Sequence, residues 1–205
     1  MDIVESAEVR WFLEGQPDAG RVRRWFGDGS SEGERVDWYL SSGRSDLGFK
    51  ARLVKGAPAK VETKYLLGSI GAVELAPGVV GNVERWQKLS LELDDPELRR
   101  RGRWIEVRKD RIVLKFSWEN GALTPIPGQE KRVPAGAGFE LTTVWGDPKV
   151  SGYSIGVEAF GPSNQLLRIV QETCTAVFAD TRDINLPEAL SMSYPAWLAK
   201  RTSSA

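Results

Sequence analysis

The sequence predicts an α+β fold in which an antiparallel β-sheet or barrel is packed against helices. About eight segments alternate apolar with charged residues, as strands with one buried face do. No strand–helix–strand spacing repeats along the chain, which argues against a doubly wound parallel sheet. The clearest helical pattern lies near the C-terminus, where an apolar stripe runs from Leu166 to Phe178.

The composition is that of an ordinary soluble globule. A chain of 205 residues suits one domain, 1–205, in which residues 181–205 form a C-terminal extension packed on the rest. Basic and acidic residues are balanced at 28 each, so no net field attracts nucleic acid or an anionic membrane. We therefore expect no nucleic-acid or membrane partner, and a monomer or homodimer.

The chain has no histidine and one cysteine, Cys174. These counts exclude histidine-dependent triads, histidine metal sites, cysteine-cluster zinc sites and internal disulfides. Cys174 lies in an apolar run and is predicted to be a buried small hydrophobe. A metal would need carboxylate ligands, which favour hard ions such as Mg²⁺, Mn²⁺ or Ca²⁺. Residues 1–10 lack the features of a signal peptide, which predicts a cytoplasmic protein.

The first strands predicted by alternation lie at 6–14, 35–40, 47–53 and 60–65. A helix is expected at 19–26, after a turn containing Pro17. The last two strands form a hairpin with one charged face. That face carries Lys50, Arg52, Lys60, Glu62 and Lys64.

The second half of the chain continues the same pattern. Further strands are predicted at 83–93, 103–108, 111–116, 138–145 and 153–160. Lys109 and Asp110 are expected to form a hairpin turn, and residues 66–80 and 117–131 are expected to be mainly loop. Ser163 or Asn164 is expected to cap the long helix, and short helical turns are expected around Pro195.

Charged residues recur at alternate positions on almost every predicted strand, and two architectures explain them. A sheet with one dry and one solvated face is the common arrangement in antiparallel proteins. A barrel with a polar interior is the alternative, in which cations bind a polyanion and carboxylates hold a divalent ion.

The order of the strand motifs resembles the CYTH, or triphosphate tunnel metalloenzyme, superfamily. That superfamily opens with ExExK, continues with a D-x-Y strand, an LR-x-R strand and a basic T-x-K-like strand, and ends with acidic strands. The matching segments here begin with Glu8-Val-Arg10, Asp37-Trp-Tyr39-Leu40, Leu47-Gly-Phe-Lys50-Ala-Arg52 and Glu62-Thr-Lys64. The resemblance implies a closed tunnel of eight antiparallel strands with flanking helices, a phosphorylated or polyanionic small ligand, and Mg²⁺ or Mn²⁺.

Site residues follow from the resemblance position by position. It implies phosphate contacts from Arg10, Lys50, Arg52, Lys64, Arg108 and Lys115. It implies metal ligands at Glu8, Glu62, Glu140 and Glu158. Ser6 occupies the place of the first glutamate of the opening motif, so the cations match better than the acids.

Three functions are compatible with this pattern, and no catalytic residue is assigned. The first is a divergent metal-dependent hydrolase of triphosphates or polyphosphates. The second is a non-catalytic tunnel that binds an anionic ligand after loss of the metal site. The third is a structural β-rich scaffold whose charged faces are solvated.

Overall fold

The computed structural model describes most of the chain. The described residues are 2–14, 26–27, 29–52, 59–93, 103–126, 133–147, 150–179 and 185–202.

Strands dominate these residues. The strands are β1 (Asp2–Leu13), β2 (Ser30–Leu40), β3 (Leu47–Arg52), β4 (Ala59–Ala76), β5 (Val79–Leu93), β6 (Trp104–Glu119), β7 (Ala122–Ile126), β8 (Gly136–Gly146) and β9 (Gly152–Phe160). The helical segments are α1 (Leu166–Phe178), a 3₁₀ turn (Glu188–Leu190) and α2 (Tyr194–Thr202).

The strands close into an antiparallel barrel. Neighbouring strands follow the order β2-β3-β4-β5-β1-β9-β8-β6, and β2 pairs with β6 to complete the circle of eight. The ninth strand, β7, pairs with β6 outside the circle. The predicted closed eight-stranded α+β fold is therefore confirmed. Because side chains alternate along each strand, every strand presents one row to the interior and one to the outside.

The main apolar core lies outside the barrel, between its wall and α1. Three outward side chains of β1 are buried in this core, namely those of Ala7, Val9 and Trp11. The Trp11 ring meets the Phe178 ring of α1 edge-on, with their centroids 6.2 Å apart. Cys174 is fully buried there, and burial raises the pKa of its thiol, as expected of a packing residue.

The predicted cap of the long helix is wrong. No side chain caps α1 at Gln165, the residue before its first turn. The Ser163 hydroxyl instead donates to Glu5 Oε2 at 2.5 Å, which ties the start of the helix to β1.

A second apolar cluster covers one end of the barrel interior. Inward side chains at the ends of several strands pack against Trp197 and Leu198 of α2. The Phe12 ring of β1 stacks on the Trp197 ring, with centroids 4.5 Å apart and an interplanar angle of 8°. The described part of the C-terminal extension thus closes this end of the barrel.

Two segments predicted to be loops are strands. Residues 66–80 form the turn end of the hairpin between β4 and β5, whose register shifts near Leu66, Ser69 and Glu74. These bulges interrupt the alternation that identifies a strand. In residues 117–126, β6 runs to Glu119 and β7 follows it, while residues 127–131 of the predicted loop lie outside the described residues. Asn120 and Gly121 join the two strands with positive φ angles of 51° and 79°, the conformation that Asn-Gly hairpin turns adopt.

The predicted hairpin at 103–116 is wrong. Strand β6 runs without a break through Lys109 and Asp110, and pairs with β2 on one side and β8 on the other. The predicted helix at 19–26 lies outside the described residues, except for Phe26, whose ring stacks on Phe139 at 4.4 Å. None of the helices in the described ranges is both long and apolar enough to cross a membrane.

Gly81 of β5 provides a test of the outer core. A Cβ atom there would lie 2.4 Å from Val9 Cγ2 and 2.6 Å from the Trp11 ring. We expect Gly81→Ala to lower the free energy of unfolding by roughly 1–3 kcal/mol through overpacking, measured by urea denaturation. Gly68→Ala is the matched control, because no atom lies within 4 Å of its Cβ position. Equal stability of the two variants would contradict this packing.

Candidate functional site

The barrel encloses a polar cavity of about 280 Å³. Every strand of the barrel contributes charged or polar side chains to its lining. They include Glu8, Arg10, Arg35, Tyr39, Lys50, Arg52, Glu62, Lys64, Lys88, Lys109, Arg111, Glu140, Thr142 and Glu158.

The solvated-scaffold hypothesis requires the charged hairpin face to point to bulk water. The side chains of Lys50, Arg52 and Lys64 are only 20%, 23% and 24% exposed, and all three line the cavity. The polar interior, not a solvated sheet face, therefore accounts for the alternating charges of this hairpin.

A buried ion pair joins β1 and β8, two strands of the barrel that are distant in sequence. Arg10 of β1 pairs with Glu140 of β8, and Arg111 Nη1 lies 2.8 Å from Glu140 Oε2. Burial raises the pKa of Glu140, but the two guanidinium groups outweigh burial and hold it well below the usual range. Gly156 of β9 leaves room for this pair, because a Cβ there would lie 3.0 Å from Arg10 Cζ.

Asp37 is the most crowded carboxylate of the site and has no exposed surface. Its Oδ1 accepts from Arg52 Nε at 2.9 Å, while Arg35 Nε and Lys109 Nζ each lie 3.5 Å from Oδ2. Burial raises the pKa of Asp37, and the surrounding cations, Lys109 above all, bring it well below its usual range. Three of the cations around the cavity thus share one carboxylate.

Lys109 is a cavity residue that the sequence analysis missed. Its Nζ donates to Tyr39 Oη at 2.7 Å and lies 3.8 Å from the centroid of the Tyr194 ring. Burial lowers the Lys109 pKa well below its usual value, and nearby cations such as Arg35 add to this, whereas Asp37 opposes it. The alternation of β6 could have identified it. If the strand is continued through 109–110 without a turn, Lys109 lies on the same row as Arg111.

Tyr194 and its neighbours Ser193 and Pro195, which belong to the C-terminal extension, also line the polar cavity. The Tyr194 ring also lies 4.8 Å from the Arg10 guanidinium, so it covers two cavity cations. Gly48 of β3 permits this docking, since a Cβ there would lie 3.1 Å from Pro195.

The four predicted metal ligands all line the cavity, and each is paired with a cation. Glu8 pairs with Lys64, Glu62 with Lys50, Glu140 with Arg10 and Arg111, and Glu158 with Lys88 at 4.0 Å. Among the described residues, no group of three acidic side chains is placed to hold one metal ion. In this arrangement each carboxylate pairs with a cation of the wall, and the expected Mg²⁺ or Mn²⁺ stays a prediction.

Two predicted phosphate contacts lie away from the polar cavity. Arg108 is on the outer face of β6, exposed, with its Nε 2.8 Å from Glu106 Oε1, so its placement in the site is wrong. The false turn at 109–110 caused this error, because it changed which residues were assigned to the interior. Lys115 points inward but lies further along β6, 3.9 Å from Glu32 and beside a second cavity.

Comparisons with known proteins add a distant likeness in fold. No protein-family model matches the chain, and no curated protein is significantly similar to it in sequence. One similar solved structure is that of the S. pombe Pct1 RNA triphosphatase, with a TM-score of 0.40 and 8% sequence identity. The match covers 98% of this chain and 80% of that chain. Inference about function therefore rests on the geometry of the cavity.

The Glu62 carboxylate predicts a specific loss of stability in acid. Burial raises its pKa, but Lys50 and Arg52 outweigh burial and bring it from 4.5 to about 2. A depressed pKa contributes stability above the unfolded-state pKa, and this contribution disappears as the pH falls from 4.5 to about 2. We expect Glu62→Gln to flatten the decline of unfolding free energy in that window, measured by urea denaturation.

The control for this experiment is Glu119→Gln, which changes an exposed carboxylate outside the cavity. It should reproduce the pH dependence of the wild-type protein. If the unfolding free energy of Glu62→Gln declined with pH as steeply as that of the wild-type protein, the pair with Lys50 would not contribute to stability in acid.

Proposed function

We propose that this protein binds a small phosphorylated anion inside the barrel. The observation that carries the proposal is the charge of the cavity. Among the described residues, eight lysines and arginines line it against four carboxylates. Asp37, buried behind Arg52 and Lys109, and Glu32, paired with Arg111, raise the number of carboxylates to six and leave an excess of two positive charges when every group is ionised.

Excess buried charge is costly unless something compensates it. Removing an ion from water costs several kcal/mol, and only close partners of opposite charge offset that cost. Here the imbalance centres on Asp37, which Arg35, Arg52 and Lys109 share. An anion in the cavity would neutralise these cations and favour the charged form of Lys109. A ligand with about two negative charges would balance the site.

The hydrogen-bonding groups favour a phosphate as the anion. Thr142 Oγ1 and Arg35 Nε are buried and have no hydrogen-bond partner among the described residues. Both can donate, as can the other lysine and arginine groups of the wall. Phosphate oxygens only accept, and they form short, charge-assisted hydrogen bonds to such donors. The strand motifs that resemble the triphosphate tunnel superfamily point to the same ligand class.

Binding without hydrolysis is the function that this geometry supports best. Metal-dependent hydrolysis uses a divalent ion to neutralise phosphate charge and to activate water. In this cavity Glu8, Glu62 and Glu140 instead lie in close ion pairs with lysine or arginine. In our proposal these carboxylates hold the cations in place, and the cations supply all the charge that the ligand meets.

The free hydroxyl of Thr142 provides the sharpest test. Thr142→Val keeps the shape and removes only a group without a partner, so we expect unchanged stability. Its affinity for tripolyphosphate should fall about fivefold, the equivalent of one hydrogen bond of roughly 1 kcal/mol. Isothermal titration calorimetry in EDTA measures the affinity, and urea denaturation measures the stability.

Thr173→Val is the matched control, because the Thr173 hydroxyl donates to the Ile169 carbonyl within α1 at 2.7 Å. This variant should lose about 1 kcal/mol of stability and keep its affinity. Absence of binding of tripolyphosphate, diphosphate and phosphate at millimolar concentration to the wild-type protein would refute the proposed function.

Anion binding should be coupled to proton uptake at Lys109. In the protein without ligand, burial and the nearby Lys50, Arg35 and Arg10 lower the pKa of Lys109, and Asp37 only partly offsets this. A phosphate near Nζ favours the ammonium form and raises this pKa, so the protein takes up protons on binding at alkaline pH. The affinity should fall as the pH rises through the pKa of Lys109 in the complex.

Calorimetry at pH 8 in buffers of different ionisation enthalpy measures this uptake. Lys109→Met is the control, because ionisation of tripolyphosphate itself contributes equally in both proteins. Asp37 keeps Arg35 and Arg52 as partners in this variant. Identical proton uptake by the variant and the wild-type protein would exclude Lys109 as the titrating group.

A further inference from the structure

A second cavity of about 400 Å³ adjoins the polar one. The two share Arg111, Glu140 and Glu158 as lining residues, so they meet at one layer of the barrel. Lys115, two residues beyond Val113 on the inward row of β6, also lines it. This cavity therefore lies further along the barrel interior, away from the end that Trp197 of α2 closes.

The second cavity differs from the first in chemistry. Apolar side chains make up half of its lining residues, on β6 to β9 and beside them. These are Val113, Phe116, Ile126, Val133, Ala137 and Phe160. Val113 is buried on the inward row of β6, whereas Phe116 and Ala137 are buried members of the outer apolar core, so the wall of this cavity is built from packed strand residues.

The charged groups of the second cavity are already paired. Glu32 pairs with Arg111 and lies 3.9 Å from Lys115, while Glu140 and Glu158 pair with cations of the polar cavity. Its two cations and three carboxylates provide no excess of positive charge, in contrast to the polar cavity. A second anionic group has nothing to neutralise here, whereas an apolar group gains by leaving water.

We propose that the ligand of this protein is a phosphate or diphosphate ester of a compact apolar group. The anionic head occupies the cationic cavity, and the alkyl or aromatic group occupies the apolar cavity beyond Arg111. This inference rests on the proposed function and specifies its ligand. The apolar cavity, at about 400 Å³, has room for the alkyl or aromatic group of such an ester.

The test compares inorganic diphosphate with dimethylallyl diphosphate by isothermal titration calorimetry in EDTA. Each buried methylene contributes roughly fourfold in affinity, so we expect the ester to bind at least tenfold more tightly. Its binding should also show a more negative heat-capacity change, the mark of apolar burial. Equal or weaker binding of the ester would overturn this inference.

Substitutions in the wall of the second cavity test whether this cavity causes the tighter binding of the ester. Val113→Thr keeps the side-chain shape and adds a hydroxyl to the apolar wall, so it should reduce the advantage of the ester and leave diphosphate affinity unchanged. Ile126→Ser changes a partly exposed position of the same wall and should act likewise even if Val113→Thr folds poorly. Val36→Thr is the matched control on the outward row of β2, where the residue pairs with the exposed Arg108.

The outcomes separate the two proposals. If diphosphate and its ester both fail to bind, the proposed anion-binding function is wrong, and this inference falls with it. If both bind with the same affinity, only the apolar subsite is wrong. An ester advantage that survives in both Val113→Thr and Ile126→Ser would also overturn the assignment of this cavity.

Discussion

Closure of the barrel is the constraint on which the rest of the structure depends. When β2 pairs with β6, the charged rows of the strands face an enclosed interior, and most of their surface is removed from bulk water. Charges in such a space must find partners within the protein or from a ligand. Glu8, Glu62 and Glu140 are the internal partners of several cavity cations. The cations around Asp37 are those for which the protein supplies too few carboxylates.

This arrangement separates the source of stability from the site. Buried ion pairs regain little more than the cost of desolvating them, so the polar interior contributes little net stability. The apolar contacts between α1 and the outer wall, with Trp11 at their centre, are the main favourable term. A barrel supported from outside can hold an interior designed for binding, since its stability does not depend on filling that interior with apolar side chains.

The C-terminal segment determines the environment of the site. Trp197 closes one end of the interior with apolar surface, and Tyr194 places its ring over Arg10 and Lys109. Excluding water at this end lowers the local dielectric, which strengthens every charge interaction near Lys109. The same cavity opened at both ends would hold its cations in a more solvated state, and the pull on an anion would be weaker.

The amino-acid sequence by itself determined the strands, their charged faces and the long helix, because a period of two or 3.6 residues is a local property. It therefore placed Lys50, Glu62 and Lys64 on one face, and all three line the cavity. Prediction from periodicity failed at two places where the local sequence pattern did not match the strand. Bulges concealed the β4–β5 hairpin, and a turn wrongly placed at Lys109 assigned Arg108 to the interior.

Only the tertiary structure decided which face became the inside and which charges became partners. Arg10 and Glu140 are separated by most of the chain, and their pairing depends on the positions of β1, β8 and β9 in the closed sheet. Tyr194 enters the site from a segment for which the sequence predicts only short helical turns around Pro195. The physical reason is that periodicity reports neighbours within one strand, whereas closure and docking depend on contacts between segments distant in sequence.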